Sequence, residues 1–123
     1  MDDKYFGIAP DVWKKAVERI REILVQKAKD KQLIYYSELS PMLSNILTIG
    51  AHDPPLHHML GEVSSSEDTA GRGLLSVLVI DKENHQPGHG FFDLARERGR
   101  DIADDDKLFA KEVQNVFDAW MGK

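Results

Sequence analysis

The run Leu74-Leu75-Ser76-Val77-Leu78-Val79-Ile80 constrains this chain more than any other stretch. Seven consecutive residues with a single polar member offer no side to water, so the segment needs apolar cover on both faces. Its leucine and β-branched content predicts a buried strand over 74–80, with Leu75 and Val77 facing one way and Ser76 the other. Two amphipathic stretches can supply the cover. Pro10 opens the first, where Val12, Trp13, Ala16, Val17, Ile20, Ile23 and Leu24 recur at helical spacing to about residue 30. The second is "DDDKLFAKEVQNVFDAWM", with a predicted stripe of Phe109, Val113, Val116, Phe117 and Trp120 and with Asp104, Asp105 and Asp106 at the positive end of its dipole. A shared core of Trp13, Ile20, Leu24, Leu75, Val77, Val79, Phe117 and Trp120 follows.

Between these blocks, "LIYY" favours a short strand that passes into a helix capped by Ser37, or by Ser40 with Pro41 in its first turn. Asp53 and two prolines begin a third helix, with Leu56, Met59, Leu60 and Val63 on one face. "SSSEDTAGRG" reads as a polar loop, with a helical turn as the alternative, residues 82–90 as a turn or wing, and "FFDLARER" as a short helix ended by Gly99. The expected fold is a single domain over residues 1–123. It is α+β and mainly helical, with a small sheet around strand 74–80 and a winged-helix-like order of elements.

Composition removes several function classes. The absence of cysteine excludes disulfides, thiol catalysis and cysteine-ligated zinc. A formal charge of −5 opposes a generic phosphate-backbone binder. No apolar stretch reaches bilayer-spanning length and the N-terminal residues are acidic, so a cytoplasmic location with no membrane contact is the expectation.

Three constellations remain as candidate sites. In "QPGHGFFDLA", Gly88 and Gly90 bracket His89 just before a helix. This is either an anion cradle or a tight turn whose glycines adopt angles closed to other residues, and the turn is the favoured reading. Glu62, Arg72 and Ser76 form the second. Arg72 either binds a ligand anion or, as favoured, pairs with Glu62 in an internal clamp, and Ser76 is the one polar group of the apolar run. The third is the histidine set His52, His57, His58, His85 and His89. His89 and Asp93 sit four apart with His57 or His58 elsewhere, but no spacing matches a metal signature, so no metal and no cofactor is expected.

"LIYYSELS" resembles the "TYGELA"-type entry to the helix-turn-helix of alkyltransferase-like DNA-repair proteins, over roughly residues 32–90. The cysteine-centred motif of those proteins is missing, so alkyl transfer is not implied. Nearly the whole chain resembles a group of small uncharacterised bacterial proteins with the pattern LGE(I/V)S..E...GR.LLS..V(I/V)...PG.GFF.LA. The residues carrying it are Leu60 to Ser64, Glu67, Gly71-Arg72, Leu74-Leu75-Ser76, Pro87-Gly88 and Gly90-Phe91-Phe92. That resemblance implies a fold and no activity. The functional expectation is a non-catalytic binding or regulatory domain acting through a protein partner. The alternatives are a winged-helix nucleic-acid binder and a small enzyme using Glu62, Arg72 and His89.

Overall fold

A computed structural model describes residues 5–123. The first amphipathic block forms α1 (Pro10–Lys29), whose buried face is Trp13, Ala16, Ile20, Ile23, Leu24 and Ala28. Lys31, at φ 55°, turns the chain into β1 (Ile34–Tyr35), which runs directly into α2 (Tyr36–Leu39). The backbone N–H of Tyr35 donates to Glu38 Oε1 at 3.0 Å, so the start of α2 is held by a glutamate three residues on rather than by Ser37. Ser40 and Pro41 instead open a 3-10 turn over Ser40–Leu43, where the Ser40 hydroxyl donates to the Ile49 carbonyl.

Helix α3 (Pro54–Thr69) starts after Asp53 as expected, but the Asp53 carboxylate does not cap it. Pro54 and Pro55 have no N–H to offer, and the carboxylate turns back to accept the Gly50 N–H at 2.7 Å. At its other end α3 runs through the serines expected to form a loop. Ser64 and Glu67 lie on the buried face with Leu60 and Val63, and each has partners there, so the polar residues extend the helix instead of breaking it. Gly71 and Gly73, at φ 83° and 85°, then carry the chain off the helix.

Leu74 to Ile80 is buried throughout, as the apolar run requires, but it is not a strand along its length. Only Val79–Ile80 forms β2. Leu75–Leu78 is a 3-10 turn. The reason is the length of the partner. β1 offers two residues, and these pair in parallel, Ile34 with Val79 and Tyr35 with Ile80. Three other N–H groups of the run are satisfied otherwise: Leu74 by Glu112 at 2.9 Å, Ser76 by the Ser64 hydroxyl at 2.8 Å, and Val77 by the Leu74 carbonyl at 3.0 Å. Residues 81–86 make a compact turn in which the Asp81 N–H bonds the Gln86 carbonyl. No third strand forms a wing hairpin among the described residues.

Helix α4 (His89–Glu97) ends before Gly99, at φ 93°, and α5 (Asp105–Trp120) begins at Asp104, whose side chain accepts the Lys107 N–H at 3.0 Å. The buried stripe of α5 is Leu108, Glu112, Val116 and Trp120. The expected stripe is thus rotated, with Phe109, Val113 and Phe117 half-buried along its flank. A carboxylate sits at the centre of the inward face because Arg100 reaches it. Of the expected core, Trp13, Ile20, Leu24, Leu75, Val77, Val79 and Trp120 lie in one cluster, and Phe117 packs against its edge. The architecture is mainly helical α+β, with the 74–80 segment wrapped by α1, α3 and α5. No helix among the described residues is long and apolar enough to cross a membrane.

Candidate functional site: a cleft between two helices

A concavity of about 750 Å³ lies between α3 and α4. Its α3 wall carries His57, His58, Leu60, Gly61, Glu62 and Ser65. Its α4 wall carries Gly88, Gly90, Phe91, Leu94 and Glu97, and Tyr36 and Ser76 reach it from the interior. Residues of all three constellations singled out in the sequence therefore meet here: Glu62 and Ser76, Gly88 and Gly90, and His57 and His58. Arg72 and His89 do not line the cleft.

At the α4 N-terminus, Gly88 donates its N–H to the Tyr36 hydroxyl at 3.2 Å, which ties the helix start to α2. The Tyr36 ring lies 5.2 Å from that of His57. Burial raises the Tyr36 pKa above that of an ordinary phenol, and the Asp81 charge adds to this against the Gly88 N–H, so the hydroxyl keeps its proton at neutral pH. Burial also lowers the pKa of His57, as do its neighbours His52 and His58, so His57 favours the neutral ring. His89 is exposed. Neither Gly88 nor Gly90 has a positive φ: Gly88 sits at −67° in extended backbone and Gly90 is within the first turn of α4. The expectation that their backbone angles exclude other residues is corrected. "PGHG" caps a helix with an ordinary backbone, and a Cβ on Gly90 would meet nothing within 4 Å.

The expected Glu62–Arg72 clamp is also corrected. Glu62 is on the exposed side of α3, where Oε1 accepts the Trp13 indole N–H at 2.9 Å. Arg72 pairs with Glu67, five residues before it and just 1% exposed, and Arg21 of α1 bonds the same carboxylate. Burial alone would raise the pKa of Glu67, but hydrogen bonds from Arg72 and Arg21 hold it below the usual carboxylate range. A second ionic cluster adjoins it. Arg100 bonds both Asp68 and Glu112, and Arg98 bonds Asp68 and Thr69, so α3, the 98–100 segment and α5 share one network. Asp68 is held low, first by the Arg100 hydrogen bond. This arrangement clamps helices together. Sequence reasoning named Arg72 and missed Arg21, Arg100 and Glu112, because partners 12 to 46 residues apart leave no local spacing to read.

Ser76 is buried beside Ser64, whose hydroxyl accepts the Ser76 N–H and donates to Ser76 Oγ. Tyr36 and Ser76 thus line the cleft with hydrogen-bonded hydroxyls, Tyr36 accepting from the Gly88 N–H and Ser76 paired with Ser64. The histidines do not gather into a metal site: among the described residues, no three His, Asp or Glu side chains are grouped to hold an ion.

Tyr36, Ser65, Leu94, Glu97 and Gly61 line the cleft without having been read as site residues from the sequence, and of these Gly61 stands apart. It lies midway along α3, its φ is not positive, and a Cβ there would meet nothing within 4 Å. A glycine inside a helix costs about 0.5–1 kcal/mol relative to alanine, and neither strain nor crowding within the fold calls for one here. No family model, curated protein or solved structure matches the chain, so the reading of the cleft rests on its own geometry.

Proposed function

We propose that the protein is a non-catalytic binding module that acts through a protein partner, and that the cleft between α3 and α4 receives a segment of that partner. The observation that carries this reading is the placement of Gly61 and Gly90 on facing helices, both open to the same cleft with no internal reason to lack a side chain. Glycine is the residue that lets another backbone approach closely. The cleft's apolar floor of Leu60, Phe91 and Leu94 supplies surface that an occupant would remove from water. The pattern shared with the small bacterial proteins is compatible with this, since Leu60, Gly61, Glu62, Ser76, Gly88, Gly90 and Phe91 all line the cleft.

The test is affinity capture from a lysate of the source organism with the wild type and Gly61→Leu as parallel baits. The reading expects a protein retained by the wild type and lost by the variant, with equal melting temperatures for the two baits. Identical captured sets would overturn it.

A winged-helix nucleic-acid reader is the second reading, and the order α1, β1, α2, α3, β2 favours it. Against it, α3 holds no lysine or arginine and exposes Glu62, while the strands pair in parallel. Salt-dependent gel shifts on arbitrary duplex at micromolar protein would promote it. The enzyme reading loses its geometry, because of Glu62, Arg72 and His89 only Glu62 lines the cleft.

A further inference from the structure

We infer that the segment received by the cleft carries a lysine or arginine flanked by apolar residues. This rests on the binding-module reading and adds the chemistry of the occupant. The cleft itself is apolar at its base, with Leu60 from α3 and Phe91 and Leu94 from α4. Two kinds of unused polar capacity surround that base. At the interior side lie the Tyr36 and Ser76 hydroxyls, both on buried side chains, the first accepting the Gly88 N–H and the second paired with the Ser64 hydroxyl, and Tyr36 has its proton left to donate. The Tyr36 proton matches a backbone carbonyl, which any peptide presents in series.

At the open side stand Glu62 and Glu97, one on each wall. Glu62 uses one oxygen for the Trp13 indole. Its other oxygen has no partner among the described residues, and neither has the Glu97 carboxylate. Among the described residues no lysine or arginine lines the cleft: on α4 and just after it, Arg96 bonds Asp105 and the 102–103 carbonyls, and Arg98 bonds Asp68. Among the described residues the rim is therefore negative with no cation to balance it, and a cationic side chain lying between the walls meets a carboxylate on each. An acidic segment would face repulsion from both. A neutral apolar segment would fill the floor while leaving the rim without a partner.

The experiment sorts a phage-displayed library of random dodecapeptides on immobilised wild type, on Gly61→Leu and on the double variant Glu62→Gln/Glu97→Gln. Glutamine at 62 retains an acceptor for Trp13, and circular dichroism with thermal melting verifies all three folds. The expected result is enrichment of sequences with lysine or arginine between apolar residues on the wild type, none on Gly61→Leu, and weakening of the enriched peptides by about tenfold on the double variant, from two partly solvated charge pairs. The weakening should shrink as salt is raised. Enriched sequences that are neutral or acidic, or basic ones that bind the double variant equally well, would overturn this inference while leaving the binding module standing. No enrichment on the wild type over Gly61→Leu would overturn both.

Discussion

Replacing Glu112 tests whether the ionic centre of α5 holds the fold together. The side chain is fully buried. It accepts hydrogen bonds from Arg100 Nε on one oxygen and from an Arg100 terminal nitrogen on the other, both at 2.9 Å, and the second oxygen also takes the Leu74 N–H at 2.9 Å. Glu112→Ala strands the Leu74 N–H in the interior, at about 1–3 kcal/mol, and leaves Arg100 with Asp68 and the Arg98 carbonyl. Arg100 is 20% exposed, so water recovers part of that loss. The net cost should be about 4 kcal/mol, within the range for breaking one partner out of a buried pair. Glu112→Gln leaves an acceptor for Leu74 and removes the charge, and should cost about 1–2 kcal/mol. In a chain of this size these values correspond to melting temperatures lowered by about 15 °C and about 6 °C. Urea titration and calorimetry at neutral pH measure both. A loss below about 1 kcal/mol for Glu112→Ala, or equal losses for the two variants, would refute the assignment of the Leu74 bond as the larger share.

Arg72→Ala should destabilise by about 1–2 kcal/mol in urea titration, since the buried Glu67 keeps only Arg21. The pH profile follows from the same carboxylates. Glu67 and Asp68 have folded pKa values below their ordinary ones, so their stabilisation is present in full above about pH 4.5 and is lost as pH falls below it. Thermal melts between pH 6 and about 2.5 should show that loss, with a shallower slope in Arg72→Ala. Gly73→Ala should cost about 1–2 kcal/mol, because φ is 85° and a Cβ would come within 3.1 Å of Glu112 Oε2 and 3.2 Å of Val116 Cγ2. Gly90→Ala, with open space and an ordinary helical backbone, should be neutral or stabilising by up to about 1 kcal/mol. A large loss for Gly90→Ala in a thermal melt would restore the strained-turn reading of "PGHG".

Elements with an uninterrupted apolar period were legible. α1 runs from the expected proline to within a residue of its expected end, and the 74–80 segment is as deeply buried as its composition demands. Backbone conformation inside that segment was not legible, because burial is a property of the run whereas strand formation depends on a neighbour 45 residues away that turned out two residues long. The rotation of the α5 stripe has the same origin. An apolar period places Phe109, Val113 and Phe117 inward, and only the arrival of Arg100 makes Glu112 the better interior residue. For the cleft, the sequence marked Glu62, Ser76, Gly88 and Gly90 without showing that they converge, and it gave the glycines a conformational reason they do not have. Gly61 carried a weak signal of its own, a glycine inside a helical period, whose meaning depends on α4 standing opposite.

The burial of residues 74–80 under α1, α3 and α5 has a consequence for the order in which the molecule can assemble. The innermost segment follows α1, α2 and α3 along the chain, so a nascent polypeptide that has exposed only its first 73 residues has helices without the centre they pack around, and β1 without its partner. Those helices must wait as a loose, solvent-touched set. α5, whose Glu112 holds the Leu74 backbone, is made later still. Acquisition of protection should therefore be abrupt and late: pulse-labelled amide exchange on stalled chains should find α1 unprotected until α5 has left the ribosome, and then protected together with the 74–80 segment in a single step.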